Sequence, residues 1–99
     1  MKELFKRNYD AVVRRGLINE ETLDFGFWSK LNEENNEVYQ QCLIVTRNLI
    51  TCEHRKENLN EEIADCLVVC ANWLIYRGVD LEEILTKIAE KNEKRANSI

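Results

Sequence analysis

Apolar positions recur every three or four residues along most of the chain, the period of an α-helix rather than of a strand. Leu4, Phe5, Tyr9, Val12 and Val13 form the first stripe and predict a helix over about Lys2 to Arg15, ended by Gly16. A short connection follows, in which Asn19 or Thr22 can cap what comes next. The second stripe is longer: Phe27, Leu31, Glu34, Val38, Gln41 or Cys42, Val45 and Leu49. It predicts a helix from about Glu20 or Leu23 to near Thr51, with Gly26 weakening its start. Glu53 to Asn60 is polar, holds the lone His54, and reads as a loop. A third helix is expected from a cap at Asn58 or Asn60 to about Arg77, with Gly78 as its stop. Asp80 then caps a fourth, Leu81 to about Asn97, whose inner stripe is Leu81, Ile84, Leu85, Ile88, Asn92 and Arg95.

Two polar interruptions matter most. Glu34 stands in the seam of the second helix where a leucine is expected, with Glu37 flanking the same face. The third helix is apolar for more than two turns after Asp65, broken only by Asn72, so it belongs inside a bundle. Its first turn nonetheless carries Glu61, Glu62 and Asp65, charges that enter a core only if paired or bound to metal.

Composition agrees with helix. There are no prolines and three glycines in 99 residues, and Glu, Lys, Leu, Ile and Ala are abundant. The pattern predicts an all-α, antiparallel four-helix bundle formed by one domain, residues 1–99. A chain this short buries a modest core, so completion by oligomerisation is expected. The net charge of −4, with both signs mixed along the chain, argues against binding a nucleic-acid polymer. Cys42, Cys52, Cys66 and Cys70 lack a Cys-x-x-Cys spacing, and three of them lie in apolar surroundings. They read as reduced thiols of a cytoplasmic protein. No signal peptide and no apolar run of membrane-spanning length is visible.

Acidic pairs three apart are common here, and Glu21/Asp24, Asp80/Glu83 and Glu90/Glu93 read as solvated faces. Glu34/Glu37 and Glu62/Asp65 differ because their flanks are apolar. If the second and third helices pack antiparallel, four carboxylates face one another and repel. Either some hold protons or cations sit between them. An all-oxygen donor set favours Mg²⁺ or Mn²⁺ over zinc.

Glu33-Glu34-Asn35-Asn36-Glu37 followed by Glu62-Ile63-Ala64-Asp65 resembles the EExxE…ExxD signature of the MazG-like, all-α nucleoside triphosphate pyrophosphohydrolases. Trp28-Ser29-Lys30-Leu31, the Gly78-Val79-Asp80-Leu81 turn and the closing Lys91-Asn92-Glu93-Lys94-Arg95 are also similar to that family, so the resemblance spans about Trp28 to Arg95. It implies cleavage of a nucleoside triphosphate into a monophosphate and pyrophosphate. By position, Glu34, Glu37, Glu62 and Asp65 become the magnesium ligands. Glu33 becomes the residue that orients or deprotonates the attacking water, or an outer-shell group, and Glu34 joins it as catalytic. Lys30, Lys91, Asn92 and Arg95, together with Lys87, become substrate-binding candidates, against the simpler reading of a solvated terminal helix for Lys87, Lys91 and Arg95; the stripe position of Asn92 favours a functional role. The resemblance also implies a homodimer or homotetramer.

Asn72 either hydrogen-bonds a base or sugar or satisfies a partner across the bundle. Trp28, Tyr39, Trp73 and Tyr76 are expected in the core before any stacking role, since large apolar side chains dominate cores. The function expected is magnesium-dependent pyrophosphohydrolysis. The alternative is a non-catalytic helical module that senses nucleotide or binds protein.

Overall fold

Left-handed backbone at two glycines ends two of the helices: Gly16 and Gly78 each have φ +76°, a conformation that a Cβ penalises. The computed structural model describes residues 1–46 and 53–97 of the chain, in four helices. These are α1 (Lys2–Arg14), α2 (Asp24–Thr46), α3 (Glu53–Tyr76) and α4 (Leu81–Asn97). Asp80 caps α4 as expected, its Oδ1 accepting the Glu83 N–H at 3.1 Å. The far end of the second stripe, including Leu49, and Cys52 lie outside the described residues.

Three expectations need correction. The polar stretch from Glu53 is helix, not loop, so His54 sits on α3. Its Glu, Lys, Arg and Leu residues are strong helix formers with no breaker among them. Asn19 and Thr22 do not cap α2. Instead Asn19 Oδ1 accepts the Glu21 N–H and Thr22 Oγ1 accepts the Asn19 N–H, which folds the connection on itself. α2 starts on the carbonyl of Leu23, which accepts from Phe27, and runs without a break past Gly26. Finally, Trp28 and Tyr39 are exposed rather than core.

α2 and α3 are antiparallel partners. Asp24 meets Trp73 and Arg77, Phe27 stacks on Trp73 at 6.1 Å between ring centres, and Glu34 meets Glu62 and Asp65. Rising numbers on one helix meet falling numbers on the other. Ile18, Phe27, Val69 and Ala71 are the buried apolar residues among those described. The Tyr76 hydroxyl donates to the carbonyls of Thr22 (2.7 Å) and Asn19 (3.2 Å), tying the α1–α2 connection to the end of α3.

The bundle stays open on the α4 side. α4 packs against α3, yet Leu85 and Ile88 of its apolar stripe are exposed and no residue of α4 is buried. The radius of gyration is 16.4 Å, against about 13 Å for a closed domain of this length.

Candidate metal centre

The seam position of Glu34 drives its carboxylate into the α2–α3 contact, where it is 8 % exposed. Glu62 and Asp65 come from consecutive turns of α3. Glu62 is half-buried and Asp65 exposed, so the trio runs from the interface out to water. One carboxylate oxygen from each lies within 4.8 Å of the other two. Glu37 adjoins them, sharing a hydrogen bond with the Glu62 carboxyl. The helical spacing read from the sequence therefore does converge on one place.

Electrostatics in that place is unfavourable without a cation. The Glu37 carboxyl is pushed up to about 7, first by the hydrogen bond with Glu62 and then by the charge of Glu34. Asp65 is raised by lost hydration and by the charges of Glu34, Glu62 and Glu61. Lys30 offsets part of this: its Nζ is 3.1 Å from Glu34 Oε1 and 3.9 Å from Glu33 Oε2, and the Glu34 contact raises the lysine's own pKa. That leaves Glu34 Oε2 and Glu62 Oε2, both buried and neither with a hydrogen-bond partner. Two orphaned anionic oxygens in one cleft are costly; a proton held between the carboxyls or a divalent cation would relieve that cost. Oxygens around a magnesium ion at about 2.1 Å lie no more than roughly 4.2 Å apart. The observed spread therefore closes with a small side-chain rotation. The donor set fits a hard cation.

The other candidates are placed less tightly. Glu33 is exposed at the rim and, among the described residues, is reached only by Lys30 at 3.9 Å. Asn72 is 5 % exposed with its Oδ1 unpartnered; it stands seven residues beyond Asp65, two turns along the same face of α3. Lys91, Asn92 and Arg95 lie on the exposed part of α4. The charges acting on Glu37 and Asp65 come from α2 and α3.

Asp24 is exposed, in keeping with a solvated face, but sequence reasoning missed its partners. The side chain accepts from the Trp73 indole at 2.9 Å and the Arg77 guanidinium at 2.8 Å, and these bonds hold its pKa down. It ties the start of α2 to the end of α3. An acid in the first turn of a helix gives no local sign of partners 49 and 53 residues away.

Residues 27–99 match the family model of the MazG nucleotide pyrophosphohydrolase domain. The match takes in all four acids and leaves α1 outside. No curated protein and no solved structure matches the chain.

Proposed function

The chain belongs to the MazG nucleotide pyrophosphohydrolase domain family, and from that premise we propose that it is a magnesium-dependent nucleoside triphosphate pyrophosphohydrolase. It cleaves its substrate between the α- and β-phosphates and releases a nucleoside or deoxynucleoside monophosphate and pyrophosphate. The observation that carries this reading is the pair of buried, unpartnered oxygens, Glu34 Oε2 and Glu62 Oε2, next to Asp65.

Glu34, Glu37, Glu62 and Asp65 hold Mg²⁺ or Mn²⁺, which when bound neutralises triphosphate charge and lowers the pKa of water. Glu33, solvated at the rim, orients the attacking water or takes its proton. Lys30 fixes Glu34 Oε1, so that the other oxygen of the same carboxylate faces the cleft. Asn72 offers a buried amide oxygen to a base or sugar hydroxyl. Lys91, Asn92 and Arg95 neutralise or hydrogen-bond the phosphates and sugar.

The working unit is a homodimer or homotetramer. Support comes from the four buried apolar residues among those described and from Leu85 and Ile88 left open on α4. We place the protein in the cytoplasm, with its nucleotide substrates. The described cysteines are free thiols, and no described helix is long and apolar enough to cross a membrane.

The test is pyrophosphate release from a panel of canonical and modified nucleotides with Mg²⁺. Turnover that survives unchanged in Asp65→Asn or Glu34→Gln rules out the mechanism. Nucleotide binding with no product under any metal instead supports the non-catalytic module.

A further inference from the structure

α1 lies outside the family match, which starts at Phe27, and it lines a half-open pocket that the pyrophosphohydrolase reading does not use. The cavity, about 320 Å³, opens where α1 meets the turn between α3 and α4. Phe5 and Tyr9 form one wall and Ile75, Val79 and Leu81 the other. All five are half-buried.

The polar groups at the mouth are unequal. Lys6 is engaged by Asp10 at 3.0 Å, and Asp80 is committed to the first turn of α4. Lys2 has no ion pair, and the Tyr9 hydroxyl no hydrogen bond, with any described residue. One cation and one hydroxyl therefore remain for an occupant. The volume falls at the lower end of small-molecule sites, which are mostly apolar with a few polar groups that fix orientation.

We propose that this cavity binds a small aromatic acid, its planar ring system between Phe5, Tyr9 and Val79 and its single carboxylate at Lys2. A nucleotide suits the walls poorly, because ribose hydroxyls and base edges find no partners on Ile75, Val79 and Leu81 and each unmet group costs free energy. Val79 and Leu81 belong to the joint from which α4 departs, so the occupant bridges α1 to that joint. The site stands or falls independently of catalysis at the acid cluster.

The test titrates the full chain with 2-naphthoate and with the uncharged 2-naphthamide, by calorimetry and by amide and methyl chemical shifts. Naphthoate is expected to bind saturably, with shifts centred on Phe5, Tyr9, Ile75, Val79 and Leu81. The amide is expected to bind about fivefold more weakly, the size of one solvent-edge ion pair. Lys2→Glu, an exposed position, should abolish that preference without altering the helical circular dichroism. Val79→Phe should fill the cavity and abolish binding of both probes. The proposal is overturned if naphthoate does not saturate, if the amide binds equally well, if the shifts centre elsewhere, or if adenosine monophosphate displaces naphthoate at lower concentration. Should Val79→Phe fail to fold, the Lys2→Glu comparison decides alone.

Discussion

Lys30 Nζ stands 3.1 Å from Glu34 Oε1, one helical turn earlier on α2, so the most buried acid of the cluster has one oxygen neutralised and the other bare. The pair lies at the edge of the cleft, with Lys30 half exposed and Glu34 nearly enclosed. Its removal should therefore be felt in the metal-free protein. Lys30→Met is expected to lower stability by about 1 kcal/mol, since a half-exposed ion pair contributes little more. Mg²⁺ should recover most of that loss, as read by thermal melts with and without the ion.

Glu34→Gln works in the opposite direction on the empty cluster. It removes a buried charge that Glu37 and Asp65 both feel, so the metal-free protein should melt at the same temperature or higher. The stabilisation that Mg²⁺ confers on the wild type, ~2.7 kcal/mol at a hundredfold excess over Kd, should vanish. A variant still stabilised by Mg²⁺ to the wild-type extent places the cation elsewhere.

The raised carboxyls set a pH dependence. Glu37 moves from 4.5 to about 7, and Asp65 shifts in the same direction. The folded state thus binds more protons than the unfolded chain between those values, and stability falls as pH rises wherever that holds. The metal-free protein should be most stable below about pH 4.5 as far as these groups are concerned, and should lose their contribution by about pH 7. Mg²⁺ affinity should rise across the same window, because the ion competes with those protons. Denaturant titrations at several pH values, with chelator and with Mg²⁺, read both trends.

Tyr76→Phe keeps the ring against Phe27, whose centre is 5.3 Å away, but loses the hydroxyl that two carbonyls share. A loss of about 1 kcal/mol is expected, with nucleotide turnover unchanged at temperatures well below the melt. Phe27→Ala should cost far more, ~3–5 kcal/mol for a buried aromatic. It should also loosen the register that brings Glu34 to Glu62.

Leu85 and Ile88 should matter only in assembly. Their replacement together by Ser is expected to shift sedimentation toward monomer and to remove any dependence of the melting temperature on protein concentration, since a partner that binds only the folded state stabilises by mass action. An unchanged sedimentation coefficient assigns the interface to another face.

The four helices, both glycine stops, the Asp80 cap and the two carboxylate pairs were legible in the sequence. Each rests on spacing or on the chemistry of a few adjacent residues. Glu34 was recognisable because a charge in an apolar seam violates a local rule. Local composition misled where a polar run continued a helix, as from Glu53, and where large aromatics were assumed to be core, as at Trp28 and Tyr39. Which face of a helix meets a neighbour depends on the neighbour. Only the tertiary structure decided that Asp24 answers Trp73 and Arg77, and that the Glu37 carboxyl comes up against that of Glu62. It also decided that α1 and the α3–α4 joint line a common half-open pocket. Those relationships are set by how separate helices pack, and no repeat of three or four residues along one helix encodes them.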